Sequence, residues 1–128
     1  MKPDISFWQT LTDLAVSNPI TIDRPKGKPH PEFPALIYPF DYGYLDNTTA
    51  GDGEGIDVWF GSSDDKKLTG ILCTFDTLER DAEIKILIGC TYEDIETIQN
   101  FNDNMQTLFI PNPLVANDIS IRFPRPSE

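Results

Sequence analysis

Five carboxylates stand out for their spacing: Asp52, Glu54 and Asp57 in and after a glycine-rich loop, then Asp76 and Asp81 on either side of a turn. Asp52 and Glu54 are two residues apart, so an extended backbone points both the same way. Asp57 opens an apolar run between Ile56 and Val58, which predicts a sheet-end position facing a cleft. If the run closing at Asp76 pairs with the run opening at Asp81, both acids reach the same end of the sheet. Carboxylates held together repel unless a cation neutralises them. Mg²⁺ suits such a cluster, because it takes hard oxygen ligands and keeps part of its water shell. Two such ions could clamp a phosphoryl group and acidify a bridging water. The bland alternative is turn-forming acids on the surface of an acidic chain.

Other chemistries fit less well. An EF-hand loop counted from Asp52 would place Ser63 where a bidentate glutamate is required. His30, the single histidine, lies in a proline-rich stretch with no nucleophile motif beside it, and reads as structural or surface. There is no GxxxxGK loop and no dinucleotide fingerprint. Cys73 and Cys90 sit in apolar runs without metal-ligand spacing, and read as buried free thiols. The net charge of -11 argues against nucleic acid as a partner. A small anionic ligand would need a local cationic patch or bound metal. No apolar run approaches the roughly 18 residues of a spanning helix, so no membrane partner is expected. The acid-bearing N-terminus does not read as a signal peptide, which makes cytoplasmic the expected location.

The elements that must position these acids can be read from periodicity. Ile5, Trp8, Leu11, Leu14 and Ala15 recur at helical spacing, with Asp4 as cap and Asn18-Pro19 as stop. Ile20 to Ile22 alternates like a short strand. Four prolines in residues 24–34 exclude a helix or a central strand. Residues 37–48 read as irregular β structure around Gly43. Residues 56–60, 68–75 and 82–89 read as strands, the last two as a hairpin. Thr91 and Asp94 fit a capping box for a helix over 91–102 with Tyr92, Ile95, Ile98 and Phe101 on its buried face. Residues 105–111 and 118–123 are short strand-like pieces, and the last five form a frayed tail. The whole, 1–128, reads as one α+β domain with a mostly antiparallel sheet or small barrel and two flanking helices.

Two blocks give this pattern a family likeness. Tyr38-Pro39-Phe40-Asp41-Tyr42-Gly43-Tyr44 followed by Asp52-Gly53-Glu54-Gly55-Ile56-Asp57-Val58 resembles the core of soluble (family I) inorganic pyrophosphatases. Those carry a Tyr-Pro-x-Asn-Tyr-Gly-Tyr stretch and then an Asp-Gly-Asp-Pro-x-Asp-Val signature. Gly70-Ile71-Leu72 leading to Asp76, with Asp81-Ala82-Glu83 after the turn, resembles a third block. Residues 20–28 resemble the family's early strand, with Asp23 and Lys26 at its acid and lysine positions. The likeness covers roughly residues 20–90.

The resemblance implies an OB-like five-stranded barrel and a hydrolase splitting inorganic pyrophosphate into two phosphates. It implies Mg²⁺ as cofactor, more than one ion, and a homo-oligomeric assembly. It assigns Asp52, Asp57, Asp76 and Asp81 to metal, Glu54 to the base that deprotonates the attacking water, and Tyr42 and Lys26 to the substrate. Departures from the pattern lie mainly on the cationic side. Glu83 stands where a phosphate-binding lysine is expected, with Lys85 on the same strand face two residues on as its candidate replacement. Glu54 and Gly55 replace an aspartate and a proline. The segment between Lys28 and Tyr38 is too short for a further hairpin, and no Tyr-Lys pair follows Tyr92. These departures imply slower hydrolysis, or a shift to another phosphoanhydride. The competing expectation is a catalytically degenerate relative that binds or regulates without turnover.

Overall fold

The computed structural model describes residues 4–115. The strand expected over 118–123 and the C-terminal tail lie outside the described residues. Helix α1 (Ile5–Val16) starts where Asp4 accepts hydrogen bonds from the N–H groups of Ser6 and Phe7, satisfying donors that the first turn leaves free. Six strands follow: β1 (Ile20–Arg24), β2 (Tyr42–Leu45), β3 (Ile56–Phe60), β4 (Leu68–Asp76), β5 (Asp81–Ile88) and β6 (Gln106–Pro111). Helix α2 (Tyr92–Phe101) lies between β5 and β6.

The strands form one sheet in the order β1-β2-β3-β5-β4-β6. All pairings are antiparallel except β3 with β5. The α+β class, the mostly antiparallel sheet and the two helices therefore stand. The closed five-stranded OB-like barrel does not: the sheet has six strands and is open. The physical reason lies in its two faces. Leu45, Val58, Ile71 and Ile86 pack on one side with Trp8 and Ala15 of α1. Trp59, Leu72 and Leu87 pack on the other with Ile95 and Ile98 of α2. Each face has its own core, whereas a barrel would turn one face into a shared interior. The segment 106–111 becomes a full sixth strand by pairing along β4 from Gly70 to Phe75.

Two local features fix where the site falls. Gly43 passes so close to the carbonyl of Thr21 on β1 that any side chain there would strike backbone. This is why β2 reads Tyr-Gly-Tyr, with both rings on the α2 side. The α2 capping box forms as expected: Asp94 takes its N-terminal N–H from Thr91 and also binds the N–H and hydroxyl of Ser62. That carboxylate ties the end of β3 to the start of α2.

Candidate functional site

Side chains alternate along a strand, so Asp57 shares the α2 face with Trp59. One step past the apolar part of that face, the sheet turns polar. Lys85 of β5 lies there, 5% exposed, and β3 and β5 run in register so that Asp57 comes beside it. The Lys85 ammonium donates to Tyr42 Oη at 2.8 Å, Asp57 Oδ2 at 3.0 Å and Glu83 Oε2 at 3.2 Å. Its three donors are thereby used. A buried lysine without such partners would lose its proton or destabilise the fold.

Tyr42 completes the set. Its phenol is pushed far above the usual tyrosine range, first by burial and then by the negative charge of Asp57, to which it also hydrogen-bonds. It stays protonated at every ordinary pH. Tyr38 and Trp59 pack against it, and Phe101 packs behind both of them.

Asp57 and Tyr42 open into a cavity of about 290 Å³. Asp23, Glu32, Glu54, Arg24, His30, Tyr38 and Tyr44 also line it. Asp23 falls at a break in the β1–β2 register between Ile22 and Arg24. Such irregularities re-aim a side chain. Arg24 approaches Tyr38, whose pKa burial raises while the guanidinium pulls it back. The proline-rich segment folds into a loop closed by the Pro29–Ile37 bridge. Within it, His30 Nδ1 accepts from the N–H groups of Glu32 and Phe33, and the ring stacks on Tyr38 at 6.0 Å.

The residues singled out in the sequence divide between this cavity and other places. Glu54, Asp57 and Tyr42 line it, and Lys85 sits behind Asp57. Asp52 does not line it. Its carboxylate accepts the Glu54 N–H at 2.9 Å and shapes the loop that presents Glu54, with Gly53 at φ +85. Asp76 and Asp81 pair at the far end of the β4–β5 hairpin. Asp76 is occupied by the N–H groups of Leu78 and Glu79. Asp81 shares a strand face with Glu83 and Lys85, but four residues of strand separate it from Lys85 by about 13 Å. Lys26 lines a different hollow with Phe40 and Lys66, its ammonium 5.8 Å from the Phe40 ring centre.

Arg24, next to Asp23 on β1, is the arginine of the cavity. His30 and Glu32 had no sequence signal, because the loop that brings them in has no period to read. Of the two thiols, Cys90 is buried and Cys73 only partly so.

Glu54, Asp57 and Asp23 bring carboxylate oxygens, the kind of hard donor that Mg²⁺ takes, to the cavity lining. Among the described residues, no three or more His, Cys, Asp or Glu side chains are placed to hold a metal ion by themselves. The charge beside Asp57 is the Lys85 ammonium. Among the described residues, no helix is long and apolar enough to cross a membrane. No family model matches this chain, and no curated protein matches it.

Proposed function

We propose that the cavity around Asp57 takes a small phosphoanhydride together with Mg²⁺ and hydrolyses it, inorganic pyrophosphate being the candidate substrate. The observation that carries this reading is the convergence of Glu54 and Asp57, from the glycine-loop motif, on one cavity with Tyr42 from the Tyr-Gly-Tyr motif. These are the positions at which the chain resembles soluble inorganic pyrophosphatases.

Electrostatics support the cation. Four carboxylates line the cavity against the single guanidinium of Arg24. A bare polyanion would be repelled, whereas one that carries its own divalent ion would meet matching charge. Glu54 and Asp57 would hold the ion, which supplies charge neutralisation at the phosphoryl oxygens and a more acidic water. Glu54 sits on an exposed loop and can accept the proton of an attacking water. Arg24 offers a fork of donors to a phosphoryl group. The neutral Tyr42 hydroxyl, fixed by Lys85 and Asp57, orients the floor of the site. The acidic charge keeps nucleic acid outside this proposal, homo-oligomer formation stays with the family resemblance, and a cytoplasmic location stays with the reading of the N-terminus.

Phosphate release from pyrophosphate tests it. The wild type with Mg²⁺ is expected to turn over, and Asp57→Asn to lose at least about 100-fold of that rate, the scale on which loss of a positioned charge acts. Equal release by both proteins would remove the reading. A second reading, binding without turnover, is favoured by one specific observation: Lys85 already neutralises Asp57. Under it, pyrophosphate and Mg²⁺ bind together and no phosphate appears.

A further inference from the structure

Glu83 stands where the family resemblance places a lysine, and the structure shows what offsets it. The Lys85 ammonium is 3.2 Å from Glu83 and 3.0 Å from Asp57, with its side chain 6% exposed. One positive charge faces two negative ones, so the set keeps a single negative charge. Both carboxylates are about three-quarters buried. A cation is therefore required between them, and the chain supplies it covalently. Tyr42 anchors the ammonium from the third side at 2.8 Å.

We infer that Lys85 is a resident cation that neutralises Asp57 before any ligand arrives, so that metal alone binds weakly and enters the cavity with its anion. This rests on the proposed cavity function for its meaning, but not for its test. A divalent ion approaching Asp57 must either displace Lys85 or sit beside a like charge a few ångströms away. An anion that carries the ion compensates for that repulsion. Lys85 is thus a positioning residue: it sets which species Asp57 accepts without touching the reacting atoms.

The test is a calorimetric titration with Mn²⁺ in the absence of any phosphoanhydride. K85M is expected to bind Mn²⁺ at least about tenfold more tightly than wild type, because a unit charge that close is worth at least that ratio. K85R keeps the charge and is expected to bind as weakly as wild type. If K85M is too unstable to measure, E83Q/K85M against E83Q makes the same comparison, and the double variant is expected to bind at least about tenfold more tightly. Equal Mn²⁺ affinity within the measured pair, or K85R as tight as K85M, would overturn the inference. No substrate is present, so a wild type that fails to split pyrophosphate leaves this result unaffected, and the reverse holds too.

Discussion

Lys85 shows how much depends on one buried charge. Removing it as Lys85→Ala leaves Asp57 and Glu83 facing each other with no ammonium, and is expected to cost about 3–5 kcal/mol in urea unfolding. Tyr42→Phe removes one of its partners but leaves both carboxylates, and is expected to cost about 1–2 kcal/mol. A larger loss in Tyr42→Phe than in Lys85→Ala would contradict this ranking. Cys90 gives a pH signature. Burial, with the charge of Asp94 adding to it, pushes its thiol up to about 12, against 9.0 when unfolded. The native thiol therefore holds its proton more tightly than the unfolded one. Its contribution is complete below pH 9 and is lost as pH rises from there towards 12. Between pH 9 and 10 the wild type should lose about 1 kcal/mol more than Cys90→Ala, measured by urea unfolding at each pH. That Asp57, Glu54 and Tyr42 belong together was legible because two motifs carry them, and all three line one cavity, whereas the alternation that put Asp52 beside Glu54 fails in a loop that turns. Lys26 did not reach the cavity, because only three-dimensional turning after the β1 register break decides which hollow it lines.

Elements translate those residues into geometry. Gly43 lets β1 and β2 close up behind the Tyr42 and Tyr44 rings. Gly43→Ala is expected to split that pair and cost at least about 3 kcal/mol, the range of severe core overpacking. Asp94 joins the β3 end to α2 through Ser62 and Thr91. Asp94→Ala should cost about 2–3 kcal/mol, above an ordinary helix cap, because a buried turn loses its acceptor as well. Chemical denaturation of both variants checks these values, and a loss under about 0.5 kcal/mol, the scale of a neutral surface change, would contradict either. Most elements were readable from sequence: both helices, the central strands and the β4–β5 hairpin fall where periodicity and caps put them. The expected convergence of Asp76 and Asp81 on Asp57 was not settled by strand alternation, which gives the face but not the distance along it. The parallel β3–β5 register was also unreadable, because it depends on which strand β3 neighbours rather than on any local signal.

At the scale of the molecule, the sheet is a wall with a core on each side. Trp8 belongs to the α1 core and Trp59 to the α2 core. Single-tryptophan variants Trp8→Phe and Trp59→Phe therefore report the two faces separately. Each is expected to give a urea transition that coincides with the circular-dichroism transition of the same protein, because β3, β4 and β5 are common to both cores. Separate midpoints would mean that the faces unfold independently. A barrel was the natural expectation from family likeness, and local pattern could not reject it, since closure depends on whether the first and last strands meet. The open sheet still leaves the α2 face polar beyond Trp59, and the cavity with its four carboxylates follows from that placement.

The proposed entry of a cation together with its ligand can be measured without turnover. Imidodiphosphate, a diphosphate whose bridging oxygen is replaced by N–H, is titrated into the wild type by calorimetry with and without Mg²⁺. Binding is expected only with Mg²⁺, and is expected to be lost in Asp57→Asn. Equal affinity in the absence of Mg²⁺, or no binding in its presence, would contradict a site in which acids receive a phosphoanhydride through its metal.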